Sequence, residues 1–253
     1  MDLRIPYSRM IFSPSPGSGL LAALGIGMLV LLGIWQLRRA DEKVLIQHEY
    51  QIRQAKPPLE FTGLDARRLT ITPGLPELRY RRLRVNGVYQ RHRQFLLDNR
   101  THKGVPGYHV LTALRIAAGP WGVLVDRGWL ALGPSREQLP VLSTPAGSVT
   151  LQGLLEIPRS DTLVLGATGY QGQGWPKVVE RIELEKMSDL LGYRLLPFIL
   201  LQDSKAPGPL IREWHPYHGI SPDRHRAYAF QWFALAVTLF ALYVWACSSC
   251  ATD

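Results

Sequence analysis

The sequence predicts a membrane protein in which two transmembrane α-helices flank a β-rich extramembrane domain, an antiparallel barrel or sandwich of α+β class. Three observations carry this expectation. Two charge-free apolar runs, residues 19–37 and 227–250, stand far apart in the chain. All but two of the 29 Lys and Arg, and all but two of the 20 Asp and Glu, fall between them, so residues 38–226 carry the whole net charge of +9. Within that segment, short β-leaning runs alternate with Gly- and Pro-rich punctuation.

At about 1.5 Å per helical residue the apolar runs reach roughly 28 and 36 Å, enough to cross a hydrocarbon core about 30 Å thick. Backbone amides find no other partners in lipid, so each run must be helical. The expected division is an N-terminal segment (1–18), a first span (19–37), a domain (38–226), a second span (227–247) and a tail (248–253). Residues 38–55 contain no Gly or Pro, so the first helix runs on beyond the apolar stretch until Lys56-Pro57-Pro58 stops it. Residues 57–80 read as irregular chain. Strands are expected at 82–89, 94–98, 108–116, 122–132, 149–156 and 195–201, a loop or frayed hairpin at 163–177, and one internal helix at 183–191.

No small-residue cleavage site follows the first run, which therefore reads as a retained anchor. The 18 residues before it are too few for a mitochondrial presequence with a spacer, so a bacterial plasma membrane fits better. The anchors direct the basic balance toward membrane lipid or an acidic partner rather than nucleic acid. Arg4 and Arg9 precede the first span, while Arg38, Arg39 and Lys43 follow it. Because long domains translocate largely regardless of charge, this bias does not choose a side.

Catalytic signatures are sparse. There is no nucleophile elbow, Walker loop or HExxH pattern. Asp98, Asp126 and Glu213 are candidate general acids with no nucleophile assigned to them, so an enzyme is not expected. His215 and His218 have approximate metal-ligand spacing, although Pro216 works against a shared helical face. Cys247 and Cys250 form a CxxC pair at the end of the second run, readable as a redox or metal pair or as two small thiols.

The densest chemistry lies at the two span entrances, GIWQLRR (33–39) and RHRAYAFQWF (224–233). An interfacial aromatic belt with charge anchors explains Trp35, Trp232 and the arginines but not His225. On a helix, His225, Tyr228, Ala229, Trp232 and Ala236 form one stripe with an imidazole, aromatic walls and small residues. A haem suits such a stripe: His225 as the metal ligand, Tyr228, Trp232 and Trp35 as walls, and Arg38, Arg39, Arg224 and Arg226 for the propionates. A snorkelling interfacial histidine is the competing reading.

These segments have a family likeness. GIWQLRR, RVNGVYQ (84–90), DNRTHKGVPGYHVLTAL (98–114), VLVDRGWL (123–130), TLQGLLEIPRS (150–160) and RHRAYAFQWFALAV (224–237) occur in the order seen in the Surfeit locus protein 1 family, which this chain resembles. The resemblance implies an assembly factor for haem–copper cytochrome c oxidase that holds or hands over haem A, with His225 at the position implicated in haem binding. It also implies that the domain is periplasmic and the termini cytoplasmic in a bacterial inner membrane. The expected partners are the oxidase catalytic subunit and, potentially, haem A synthase. Two other classes stay open: a chaperone that clamps the oxidase subunit without touching haem, and a membrane-tethered envelope enzyme. The segment 104–107 is expected to form a tight turn feeding the strand that starts at Tyr108.

Overall fold

The computed structural model describes residues 10–12, 15–62, 74–117, 119–133, 138–140, 142–158, 174–216 and 219–250. The chain divides into two compact units, Met1–Glu49 with Pro216–Asp253, and Tyr50–His215.

In the first unit, the helix α1 (Pro16–Ala55) continues unbroken past its apolar stretch, as the lack of Gly and Pro predicts; its last six residues belong to the second unit. A second long helix, at Pro222–Ala246, starts five residues before its apolar run. Ser221 caps it, accepting the Arg224 amide on Oγ, with Pro222 at the first helical position and Asp223 in the first turn. Beyond it, Ser248–Cys250 pairs antiparallel with Met10–Phe12 (β1). Both helices are long and apolar enough to cross a membrane, and most of their large side chains point outward, including Leu21, Met28, Leu31, Phe230 and Val237.

The helices run antiparallel and meet through small residues. A Cβ on Gly33 would lie 2.5 Å from Phe233 Cε1, one on Gly25 3.1 Å from Leu239 Cδ2, and one on Gly19 3.1 Å from the Tyr243 hydroxyl. Pro222, His225, Ala229 and Ala236 are the buried residues of the second helix, spaced three, four and seven apart. Seams of this kind let two helix backbones approach closely where water offers no hydrophobic drive.

The second unit is a sheet-rich domain of mixed strands. After β1, its strands are β2 (Leu59–Phe61), β3 (Arg82–His102), β4 (Val105–Ile116), β5 (Gly122–Ala131), β6 (Ser148–Glu156), β7 (Lys177–Val179) and β8 (Leu195–Gln202); Ser248–Cys250 is β9. Helices α2 (Leu75–Leu78) and α3 (Leu184–Leu191) complete it, so the capped helix at Pro222–Ala246 is α4. The order is β2-β3-β4-β5-β8-β6, with β6 also pairing onto the first third of β3 and β7 onto its middle.

Three corrections follow. The sheet is not a clear barrel, and its pairing is mixed where antiparallel pairing was expected: β2–β3, β3–β7 and β5–β8 are parallel. Eight consecutive residues of β5 are buried, the two-faced burial typical of strands in parallel pairing. Next, the two strands expected at 82–89 and 94–98 are one 21-residue strand. The exposed Arg91-His92-Arg93 stretch between them is a register irregularity in the pairing with β4, not a turn. Finally, the β3–β4 turn is Lys103-Gly104, with positive φ at both residues (50° and 83°) as a two-residue hairpin loop requires, so β4 starts at Val105. Gly107 lies inside β4, and its missing Cβ accommodates the Leu130 carbonyl oxygen and the Trp129 ring. The irregular region expected at 57–80 contains β2 and α2, with 63–73 outside the described residues. Of the loop expected at 163–177, residues up to 173 also lie outside them.

One core draws on six strands: Phe61 of β2, Leu83, Val85 and Tyr89 of β3, Leu114 of β4, Val125 of β5, Leu155 of β6 and Phe198 of β8. A second places Met187 and Leu191 of α3 on Phe95, Leu97 and Leu124. Burial pushes the Tyr89 phenol up to about 12, against the opposing pull of Arg127 and Arg212, and does the same at Tyr193 against Arg115 and Arg93. The folded chain therefore keeps both protons after an unfolded tyrosine has lost its own. Stability is expected to be unaffected by these groups below pH 10 and to fall between pH 10 and 12, by up to about 1.4 kcal/mol per pH unit for each. Urea midpoints across that range measure the slope, and the Tyr89→Phe/Tyr193→Phe protein should flatten it.

Candidate functional site

The helix pair of the first unit brings His225 to Gln36 of α1, with Nδ1 2.6 Å from the amide Oε1. An amide oxygen can only accept, so His225 Nδ1–H is the donor and the neutral ring carries its free lone pair on Nε2. His225 is only 7% exposed. The helix register fixes this meeting, because Gly33 lies one turn before Gln36 and admits Phe233 of α4. On the other flank, Lys43 Nζ donates to the Ile220 carbonyl at 2.5 Å, tying α1 to the segment that leads into α4.

The remaining residues expected at this site divide into three groups. Ala229 and Ala236 are buried within the unit, so the small positions serve helix approach. Trp232 is half-buried, while Tyr228 (41% exposed) and Trp35 (51%) project outward. Arg38, Arg224 and Arg226 are all exposed. Arg226 lies 3.5 Å from Asp223, and Arg39 is paired with Glu42 at 2.6 Å. Donor chemistry at His225 would suit an imidazole ligand to a haem iron: one ring nitrogen is unengaged and the other is held by a second residue.

Sequence reasoning did not single out Gln36. A Gln beside Trp and two Arg resembles an interfacial anchor, and its partner is 189 residues away. It also missed a second histidine. In the domain, His109 Nδ1 donates to Asp126 Oδ2 at 2.8 Å, and Asp126 Oδ1 accepts the Gly128 amide at 3.0 Å. A register shift between His109 and Leu111 adds a residue to β5, and this bulge brings Asp126 to His109. The Trp214 ring lies 5.7 Å from the imidazole, and Trp214 Nε1 donates to Gln202 O. Burial pulls the Arg100 guanidinium below its usual range, and the Asp126 charge opposes that pull.

The other candidates separate. Asp98 accepts its neighbour's amide, from Asn99, at 2.7 Å. Glu213 lies 3.8 Å from Lys103 Nζ and 4.0 Å from His102 Nδ1. His218 is outside the described residues, so the HPYH pair has no geometry to report. Cys247 is a free thiol at the α4 C-cap, and the Cys250 side chain is not described. Among the described residues, no three His, Cys, Asp or Glu side chains converge on a metal position.

The profile of the SURF1 family matches residues 23–237, which include α1 from its third turn, the whole seven-stranded sheet and α4 past Ala236. Curated relatives are similar over most of their length. A SURF1-like protein of Rickettsia bellii is 26% identical over 222 residues, 85% of each chain. One of Rickettsia conorii is 23% identical over 86% of this chain and 85% of its own. One of Dictyostelium discoideum is 22% identical over 84% and 89%.

Proposed function

The chain belongs to the SURF1 family, and from that premise we propose that it is a two-span assembly factor for a haem–copper cytochrome c oxidase. In this reading α1 and α4 cross a bacterial inner membrane, and the sheet-rich domain stands in the periplasm. The protein holds haem A transiently before it reaches the oxidase catalytic subunit, with haem A synthase as a source. Bound haem A supplies the redox-active iron centre that the oxidase needs; the chain itself supplies a ligand, a boundary and a partner surface.

One observation carries the reading. His225 is secured through Nδ1 at the seam of two apolar helices, leaving Nε2 as the only ring nitrogen able to bind iron. Two further features support it. The outward apolar faces of both helices need a non-aqueous environment. The exposed Arg38 and Arg224 stand near His225 in sequence or across the helix pair, where carboxylates of a cargo would find guanidinium partners.

The test is purification from cells that make haem A, followed by a pyridine hemochrome assay. The natural protein is expected to retain haem A, and His225→Ala to lose at least nine-tenths of it while still co-purifying with the oxidase subunit. A full haem load on His225→Ala refutes the ligand assignment and favours the haem-free clamp.

A further inference from the structure

Among the described residues, His109 and His225 each make a hydrogen bond through Nδ1, and their acceptors differ in charge. His109 donates to the buried carboxylate of Asp126, whereas His225 donates to the neutral amide of Gln36. The acceptor on one ring nitrogen sets the basicity of the other: a carboxylate draws the ring toward imidazolate and strengthens a bond to metal, while an amide orients the ring with little added charge. From this contrast we infer that Gln36 is a positioning residue for His225, fixing Nε2 as the ligand nitrogen and keeping the iron–imidazole bond weak enough to release an iron porphyrin. This rests on the reading that His225 binds haem.

Several features place that task on Gln36. It lies on the opposite helix, so its hold on His225 depends on the α1–α4 seam and not on local helix geometry. Gly33, three residues earlier, sets the seam by admitting the Phe233 ring. The ring is buried, so without Gln36 the Nδ1–H would lose its acceptor where water is scarce, and the ring would turn or change tautomer. Glutamate has nearly the shape of glutamine but offers a carboxylate where Gln36 offers an amide oxygen, which makes Gln36→Glu an isosteric probe of acceptor charge.

The experiment uses the full chain in nanodiscs, with haem loaded in cells. It compares the natural protein with Gln36→Glu, Gln36→Leu and His225→Ala. Three quantities are read: the imidazole ¹⁵N tautomer of His225 without haem, the ferrous iron–histidine stretch by resonance Raman, and the rate of haem loss to excess apomyoglobin. The natural haem-free protein is expected to show Nδ1 protonated. Gln36→Glu should raise the stretch and slow haem loss several-fold. Gln36→Leu should lower the stretch and weaken retention by roughly 10- to 100-fold, the usual scale for removing a ligand's supporting hydrogen bond. If His225→Ala loses haem but both Gln36 variants keep the natural stretch and release rate, the inference fails while the haem reading stands. If His225→Ala keeps the natural stretch, both fail. An Nε2-protonated ring in the natural haem-free protein overturns the inference even where a variant does not fold.

Discussion

Asp126→Ala is expected to destabilise the domain by about 3 kcal/mol. The carboxylate is 4% exposed and answers three groups at once: the His109 ring N–H, the Gly128 amide and the electrostatic demand of the desolvated Arg100. Losing a charge-assisted hydrogen bond alone costs about 1.5–3 kcal/mol, and a buried cation deprived of its counter-charge adds to that. For a domain of this size the midpoint should drop by roughly 6–12 °C. Asp126→Asn keeps the shape and an acceptor for Gly128 but removes the charge, so it should fall between the natural protein and Asp126→Ala. His109→Ala removes one partner only and should cost least. Thermal unfolding of the four full-length proteins ranks them, and a loss below 1 kcal/mol for Asp126→Ala would show that the dyad is not a structural centre.

Gly33→Leu should damage the first unit most. Three atoms of the Phe233 ring lie within 2.9 Å of where a Cβ would stand, so a leucine must push α4 away from α1. Overpacking of this kind typically costs about 1–3 kcal/mol. The functional effect should exceed the stability effect, since Gln36 lies one turn further on and its 2.6 Å contact with His225 does not survive a shift of 1 Å or more. On the proposed reading, haem retention falls with it. Gly33→Ala already forces the Phe233 ring aside, since its Cβ lies 2.5–2.9 Å from three ring atoms, but should cost less than Gly33→Leu. The decisive measurement is the double variant: Gly33→Leu/Phe233→Ala restores the space and should recover haem retention beyond what the single effects add up to.

What could be read from the sequence was whatever depends on local chemistry. The run-on of α1 to Ala55 follows from the absence of breakers in residues 38–55, and β4, β5, β6 and β8 fall within a few residues of the alternating apolar runs. Strand direction was not legible. Alternation reports which face is buried, and the parallel β5–β8 pair joins segments about 70 residues apart. The polar Arg91-His92-Arg93 looked like a turn because exposure and chain reversal share the same residue types. His225 stood out since nothing in an aromatic belt calls for an imidazole. Gln36 and the His109–Asp126 pair did not, because each acquires meaning only from a partner placed by helix register or by a bulge. Gly107 was expected to matter as a turn residue; its role instead is to let two strands approach.

The length of β3 has a consequence for how the domain is made. Residues 82–88 of that strand wait for β6, which begins at Ser148, 60 residues further along the chain. At ordinary ribosomal speeds of about 5–20 residues per second, this interval lasts roughly 3–12 s. Meanwhile the β3–β4 hairpin can close on its two-residue loop, leaving a raw strand edge facing outward on the nascent chain. Synthesis halted or trimmed before Ser148 should therefore yield a sticky fragment that holdase chaperones bind and that the finished sequence never displays.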